Sequence, residues 1–208
     1  MKVSLLNPPP IGLIEEHVAE IAAICFSSPN PTNTRRVERL VLDKTLSPFR
    51  HWLLTVKFEG ISIPCARQLF RHVHTVQDSG EPVFEGSTEQ SKRYVDASDI
   101  EFITPPSIRK IDALATGYKK LMDLCQMFYR ELRANNIPKG DARYCLPQAM
   151  TTDVFFSANP EAWFNFCRLR TDKHAQWEIR ELAHKVTDLL TPHIPTLFSS
   201  IEWPYEET

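Results

Sequence analysis

The sequence contains no Cys-x-x-Cys pair and no apolar run long enough to cross a bilayer. Its five cysteines are odd in number and lie in apolar or helical surroundings, which indicates reduced thiols used in packing and no metal site. The first residues carry one Lys and a short apolar run broken by three prolines, unlike a secretory signal. We therefore expect a soluble, cytoplasmic protein that has no membrane partner.

The chain also lacks an excess of positive charge. It has 24 Lys and Arg against 26 Asp and Glu, a formal net charge of -2 at pH 7 and an isoelectric point near 6.4. Proteins that bind nucleic acid mainly by neutralising phosphates have basic surfaces. General nucleic-acid binding is therefore not expected, whereas a local basic pocket for one phosphate is compatible with this composition.

No internal repeat, low-complexity tract or linker divides the 208 residues, a length that suits one domain. Apolar spacing and capping signals predict helices over 13–25, from a cap at Asn33 or Thr34 to Leu42, and over 64–72, 107–135 and 139–145. Strands are predicted over 52–58 and 151–156, and 94–103 is predicted to be extended. The prediction is one helix-rich α+β domain over residues 1–208.

A first polar cluster lies on the helix predicted over 64–72. Arg67 and Arg71 are four residues apart and share one face of that helix, and Gln68 and His72 share the neighbouring face. Guanidinium groups in this arrangement can bind phosphate, and the amide can bind the edge of a base. A solvated helix face is an equally good interpretation of this cluster alone.

A second polar cluster contains Glu89, Ser91 and Arg93. If the segment is extended, these alternate residues project to the same side and can hold a sugar hydroxyl and a phosphate together. Taken alone, the cluster is better interpreted as a polar loop with a chance capping pattern.

A third cluster begins at Arg143 and continues over 159–180, where amides, guanidinium groups and an imidazole lie among aromatic side chains. Arg170 and His174 are four residues apart, although Thr171 or Asp172 could cap a new helix between them. A single buried Arg is more often part of a structural ion pair than a catalytic group. Three separate clusters with Arg, amides and aromatics instead indicate a planar, anionic ligand, for which a nucleotide is the leading candidate.

These motifs resemble those of the flavin-dependent thymidylate synthase (ThyX) family over nearly the whole chain. That family's signature begins Arg-His-Arg and ends Asn-Glu-x-Ser-x-Arg-Tyr. The matching residues are Arg67-Gln68, Arg71-His72, Glu89, Ser91, Arg93-Tyr94, Arg143, Leu146-Pro147, Asn159, Asn165, Leu169-Arg170 and 174–179 (HAQWEI). The resemblance implies an α+β fold with a central, mainly antiparallel sheet and a long helix, and a homotetramer whose sites are shared between subunits.

The resemblance also implies the roles of individual residues. The pyrimidine nucleotide would be bound by Gln68, Arg71, Glu89, Ser91, Arg93, Arg143 and Arg170. FAD would be bound by Ser47, Arg71, His72, Glu89, Asn159 and Asn165, with His174 near the flavin and the folate. Arg170 and His174 would be the catalytic residues, and Arg170 would stabilise negative charge at the N3 side of the base.

The implied reaction methylates C5 of dUMP. Methylenetetrahydrofolate supplies the carbon, reduced FAD supplies the hydride, and NADPH reduces the flavin. This chemistry requires no cysteine nucleophile, unlike that of the other thymidylate synthase class. Cys145 and Cys167 are therefore interpreted as packing residues.

The chain departs from the family pattern at several positions. Val73 replaces the last Arg of the Arg-His-Arg triplet, Thr88 replaces an Asn, and Thr45 replaces an upstream His. Seventeen residues separate Val73 from Ser91 where the family has seven, and 47–51 reads SPFRH in place of TPFEH. Arg50 or Lys92 could supply the cation that is lost at Val73.

These departures leave alternatives open. UMP or dCMP could replace dUMP as the substrate, because a rebuilt loop near the nucleotide alters selection. The chain could also be a non-catalytic nucleotide- or flavin-binding homologue. A single-stranded nucleic-acid binder is disfavoured by the negative net charge.

Overall fold

The computed structural model describes residues 1–25, 30, 33–72 and 84–201. The strands are β1 (Lys2–Leu6), β2 (Leu54–Ser62), β3 (Phe84–Glu89) and β4 (Thr151–Ala158). The α-helices are α1 (Leu13–Ile24), α2 (Arg35–Leu42), α3 (Ile63–Phe70), α4 (Pro106–Arg109), α5 (Asp112–Ala134), α6 (Lys139–Ala142), α7 (Pro160–Arg170), α8 (Trp177–Leu190) and α9 (Pro195–Phe198). Ser47–His51 and Arg143–Cys145 form 3-10 turns. In this part of the chain the strands form one antiparallel sheet in the order β1-β2-β4-β3, which confirms the α+β prediction.

The chain divides into two compact units. The first contains Met1–Phe58, Gln68–Ser87 and Phe155–Thr208, and the second contains Glu59–Arg67 and Thr88–Val154. The boundaries fall inside β2, α3, β3 and β4, so each of these elements contributes residues to both units.

An aromatic core positions α7 in the first unit. Phe58 of β2 and Phe156 of β4 are buried, as the alternation of apolar residues along these strands requires. The ring of Phe58 packs 6.2 Å from that of Trp163 on α7, whose indole Nε1 donates to the Leu54 carbonyl at 3.1 Å. Phe166, one turn further along α7, packs edge-on against Trp163 at 5.9 Å. This core places the C-terminal end of α7, where Arg170 lies.

A smaller core positions the residues that follow α6 in the second unit. Tyr129 of α5 is fully buried with Ala97 and Ala142, and its hydroxyl accepts from the Ala97 amide at 3.2 Å. Arg143 follows directly after this core. The turn that contains Arg93 precedes Ala97 of the same buried cluster. This cluster therefore supports both Arg93 and Arg143.

Three predictions of local structure are wrong. Strand β1 was not predicted, because five residues without a hairpin signal resemble an irregular start. Residues 94–103 are not a strand, since their one bridge joins Phe102 to Met150. The helix predicted over 107–135 is two helices, because Ile111 is extended (φ -121°, ψ 101°) between α4 and α5. The ends of α1, α2 and α3 lie within two residues of prediction, whereas β2 runs four residues beyond its predicted end.

Among the described residues, none of the helices combines the length and the apolarity that a membrane span requires. The same residues contain no group of three His, Cys, Asp or Glu side chains that could hold a metal ion.

Candidate active site

The first unit brings together His72 and Arg170, which are 98 residues apart in the sequence. His72 lies in the turn that ends α3, where its amide donates to the Leu69 carbonyl at 2.9 Å. Its ring is 9% exposed and packs edge-on against Phe166, with the centroids 5.0 Å apart. The Arg170 Nε donates to the His72 Nε2 at 2.9 Å. His72, which is predicted to contact FAD, therefore orients the guanidinium of Arg170, which is predicted to contact the base.

The electrostatics of this pair keep the imidazole neutral. Burial, followed by the charges of Arg170 and Arg71, lowers the pKa of His72 to about 4. Because Nε2 accepts from Arg170, the proton of the neutral ring is on Nδ1. Burial and the charge of Arg71 also lower the pKa of Arg170.

Positive charge dominates the surroundings of His72. No carboxylate among the described residues bonds to Arg170, which is partly buried, or to Arg71, which is exposed. Two guanidinium groups without an acidic partner can both bind one anionic ligand. We call Arg71, His72 and Arg170 the His72 group.

Among the described residues, no hydrogen bond joins three other predicted residues of the first unit to the His72 group. Gln68 is partly buried on α3, and Ser47 is exposed at the start of the first 3-10 turn. His174 is exposed in the turn between α7 and α8, where its amide donates to the Asp172 carboxylate at 2.8 Å. The cap of α8 is Gln176, whose side chain accepts from two amides, so the predicted cap at Thr171 or Asp172 is wrong.

The two asparagines predicted to contact FAD have hydrogen-bond partners within the chain. Asn159 is the N-cap of α7, and its Oδ1 accepts from the Ala162 amide at 2.9 Å. Its Nδ2 donates to Glu85 at 3.3 Å. The Asn165 Oδ1 accepts from the Arg168 guanidinium at 3.0 Å. Asn159 has a structural role as a cap, and the FAD contacts of both residues stay predictions.

The second unit contains Glu89, Ser91, Arg93 and Arg143. The segment after β3 is not extended, because the Ser91 carbonyl accepts from the amides of Tyr94 (3.1 Å) and Val95 (3.0 Å). The condition under which Glu89, Ser91 and Arg93 would share one side is therefore not met, and the segment is a polar turn, as the alternative interpretation has it. The Ser91 hydroxyl accepts from the Arg93 amide at 3.3 Å, a local bond that favours a turn over a strand. We call residues 91–95 the 91–95 turn.

Arg93 and Arg143 both adjoin Gly140 of α6. The Arg143 Nε donates to the Gly140 carbonyl at 3.1 Å, and a Cβ on Gly140 would lie 3.9 Å from the Arg93 Cγ. The Arg93 guanidinium lies 5.7 Å from the centre of the Tyr94 ring, and both side chains are exposed. Glu89, also exposed, ends β3. The second unit therefore places one exposed guanidinium group, of Arg93, and one partly buried guanidinium group, of Arg143, around one small residue.

Two cations that could replace the one lost at Val73 have partners within the chain. Arg50 forms two hydrogen bonds with Glu161 of α7, one of them at 3.0 Å, and this contact raises the pKa of Arg50. Lys92 is buried and donates to Gln90. Val73 and most of the loop that follows it lie outside the described residues. Sequence reasoning missed the burial of Lys92, since its neighbours in sequence are polar.

Cys145 and Cys167 are not activated nucleophiles. Burial raises the pKa of Cys167 to about 12 and also raises that of Cys145. All five thiols are free, and only the thiolate form is nucleophilic. This finding supports the interpretation of Cys145 and Cys167 as packing residues.

The structure is an α+β fold in which, among the described residues, Arg71, Arg170, Arg93 and Arg143 form no ion pair with a carboxylate. The family model of the thymidylate synthase complementing protein, Thy1, matches residues 13–196, and the chain belongs to that family. This match confirms the resemblance drawn from the motifs.

The chain is similar to several flavin-dependent thymidylate synthases. It is 31% identical to that of Geobacter sulfurreducens over 95% of this chain and 85% of the relative. The Clostridium tetani protein is 28% identical with the same coverage. The Thermococcus onnurineus protein is 35% identical over 67% of this chain, and the match spans 55% of that protein's length.

Proposed function

We propose that the protein is a flavin-dependent methyltransferase that converts dUMP to dTMP. The observation that carries this proposal is the contact of Arg170 with a neutral His72 beside Arg71, in a region without a carboxylate partner among the described residues. Family membership and the names of the relatives support the same activity. Methylenetetrahydrofolate is the carbon donor, and NADPH reduces the FAD. Residues 1–208 form the catalytic domain, and the reduced thiols support a cytoplasmic location.

Arg170 is the residue that activates the base. Uracil C5 is a weak nucleophile until negative charge develops on the ring, and a guanidinium in a partly dry site stabilises that charge. The Nε of Arg170 is used by His72, so its two terminal nitrogens remain for the ligand. Because His72 is neutral at physiological pH, it orients Arg170 without adding a positive charge beside it.

The 91–95 turn and Arg143 bind the phosphate. The exposed guanidinium of Arg93, the partly buried guanidinium of Arg143 and a serine hydroxyl provide donors of the kind that bind phosphate oxygens. Gln68 binds the base edge, and Glu89 binds the sugar. Each of these contacts is part of the proposal.

The residues present fit FAD by their chemistry. Arg71 is exposed, and among the described residues nothing accepts a hydrogen bond from its guanidinium, so it can hold the cofactor's pyrophosphate. Ser47, Asn159, Asn165 and His174 would complete the cofactor site. The bound flavin supplies the hydride, and the polypeptide supplies binding, orientation and charge.

A homotetramer with shared sites is the proposed assembly, and the exposed face of α5 supports it. Leu114, Leu121 and Phe128 recur every seven residues and are 55%, 53% and 47% exposed. Leu124, 54% exposed, lies between them on the same face. An apolar helix face of this length is typical of a surface that packs against another chain.

The oligomeric state tests that surface. Leu121→Glu places a charge in the apolar face, so the assembly should dissociate in light scattering after size-exclusion chromatography. Lys120→Glu, at an exposed neighbouring position, is the matched control and should leave the mass unchanged. If the native protein is monomeric, the proposed assembly is wrong.

The activity is tested with the purified protein, NADPH and methylenetetrahydrofolate. We expect yellow flavin absorbance and release of tritium from C5-labelled dUMP, with labelled UMP and dCMP as parallel substrates. Release from UMP or dCMP in preference to dUMP would reassign the substrate. Bound flavin without release from any of the three would favour the non-catalytic homologue.

A further inference from the structure

Lys92 is a buried cation between two residues of the proposed phosphate site. Its exposed fraction is 7%, whereas the next residue, Arg93, is exposed. Lysine is among the residues least often buried without a partner, because removing an ammonium from water is costly. Its burial beside Ser91 therefore calls for a structural reason.

The partners of Lys92 lie at the ends of β3 and in the middle of the sheet. Its ammonium donates to the Gln90 side chain. Burial lowers the pKa of Lys92, and the negative charges of Asp153 and Glu89 oppose that shift. Asp153, on β4, accepts from the Gln90 amide with its backbone carbonyl at 2.9 Å. Asp153 therefore holds Gln90, the residue that precedes the 91–95 turn and accepts from the Lys92 ammonium.

Asp153 also has a structural role in β2. Its Oδ1 accepts from the Gly60 amide at 2.9 Å, at a position of β2 where the backbone has a φ of 67°. Only glycine adopts this left-handed conformation at little cost. The carboxylate thus satisfies an amide in an irregular part of β2, so the residue to which Gln90 is bonded is itself held in the sheet.

The outer side of the 91–95 turn has a weaker anchor. The Lys139 ammonium donates to the Tyr94 carbonyl at 2.9 Å, but this bond is exposed to water. The Tyr94 side chain is 74% exposed. An exposed hydrogen bond contributes little, so this outer contact holds the turn only weakly. The buried side chain of Lys92 and its bond to Gln90 connect the inner side of the turn to the end of β3.

We propose that Lys92 is a positioning residue that anchors the 91–95 turn to the end of β3 through Gln90 and so holds Ser91 and Arg93 ready for a phosphate. The role rests on the proposed function, which assigns those two residues to the nucleotide. A preordered turn binds with less loss of side-chain and backbone entropy than a mobile one. Lys92 acts through its neighbours and does not touch the ligand.

The test compares Lys92→Met, which keeps the length but removes the charge, with Lys92→Arg. The control is Lys110→Met, at an exposed lysine of the same unit. We expect K92M to weaken dUMP binding to the flavin-loaded protein about tenfold by calorimetry, or about 1.4 kcal/mol. In the steady-state assay, the KM for dUMP should rise and kcat should stay within about twofold, because the chemistry at Arg170 is untouched.

Two further readouts separate positioning from general stability. Amide hydrogen exchange of residues 91–95 should accelerate in K92M without a change in the flavin bound per chain. K92R retains the charge, so its dUMP affinity should return to within about threefold of the native value. If K92M does not fold, Gln90→Met removes only the acceptor of Lys92 and should produce the same changes in affinity and exchange.

The inference would be overturned if K92M kept both the native affinity for dUMP and the native amide exchange of residues 91–95. It would also be overturned if K92M lost bound flavin, kcat and dUMP affinity to the same extent, because that result indicates a general loss of stability. A native protein that binds no pyrimidine nucleotide would refute the proposed function instead. In that case the exchange of residues 91–95 still decides whether Lys92 anchors the turn.

Discussion

The His72 group and the 91–95 turn both present arginine, but in opposite surroundings. Arg170 is partly buried, donates to a neutral imidazole and has a lowered pKa. Arg93 is exposed beside an exposed Tyr94, on a turn that is held by local bonds. The first arrangement limits the orientations of a guanidinium, whereas the second leaves a guanidinium accessible.

This difference assigns different tasks to the same residue type. A charge in a partly dry site interacts strongly with charge that develops during a reaction, because water screens it less. An exposed charge is better suited to a ligand group whose charge is permanent, such as a phosphate. We therefore assign transition-state stabilisation to Arg170 and ground-state binding to Arg93 and Arg143.

The largest effect is expected at Arg170. Arg170→Ala should lower kcat about a thousandfold in the tritium-release assay, since it removes the donor that stabilises the activated ring. Arg170→Lys keeps a charge but loses the Nε bond to His72, and should recover only a small part of the activity. Native turnover by R170K would show that the contact with His72 is dispensable.

A smaller effect, of a different kind, is expected at the two arginines that adjoin Gly140. Arg143→Ala and Arg93→Ala should each raise the KM for dUMP between about 10- and 100-fold, the value of one charged hydrogen bond. Their kcat values should stay close to native. Arg109→Ala, at an exposed arginine outside the proposed site, is the control. If R93A or R143A lowered kcat without raising the KM for dUMP, these arginines would act in the transition state as Arg170 does. The different tasks assigned to the His72 group and to the 91–95 turn would then be wrong.

The neutral state of His72 predicts a pH dependence of stability. Its pKa is about 4 in the folded protein against 6.5 as the ordinary value, so the unfolded chain binds the proton more tightly. The folded state is therefore destabilised as pH falls from 6.5 towards 4, by up to about 3 kcal/mol in unfolding free energy. His72→Gln should flatten this part of the profile in urea titrations, whereas His51→Gln, at an exposed histidine, should leave it unchanged. If the unfolding free energy of H72Q fell with pH as steeply as that of the native protein, His72 would not be buried and neutral in the folded state.

The smallest effect is expected at the thiols. Cys145 has a raised pKa and donates to the Ala142 carbonyl at 3.2 Å, which is a packing role. Cys145→Ala should keep kcat within about twofold of native, since no thiolate takes part in the reaction. A loss of more than about a hundredfold, with flavin still bound, would require a cysteine nucleophile after all.

Sequence reasoning identified most elements where one local signal dominates. The apolar alternation of β4 and the spacing of α1 predicted those elements closely. It failed at Ile111, where one extended residue ends a helical pattern, and after Glu89, where the Ser91 hydroxyl stabilises a turn. Both failures depend on bonds or dihedral angles that apolar periodicity does not encode.

The candidate site was predicted as a set of residue types, not as an arrangement. The motifs identified Arg71, His72 and Arg170, and the structure joins His72 to Arg170 by a hydrogen bond, with the charge of Arg71 acting on both. The FAD assignment of Asn159 did not include its role as the cap of α7. No local pattern indicated the pairing of Arg50 with Glu161, which are 111 residues apart.

By itself, the sequence determined the α+β class, the family and the kinds of groups proposed to meet the ligand, because apolar periodicity and motif spacing are local properties of the chain. The tertiary structure alone decided which ionisable groups are buried or have a shifted pKa. His72 is neutral because it is buried against Phe166 and beside Arg170, and Lys92 is buried with its ammonium on Gln90 at the end of β3. Burial and the charges of distant neighbours set a pKa, and only folding brings them together.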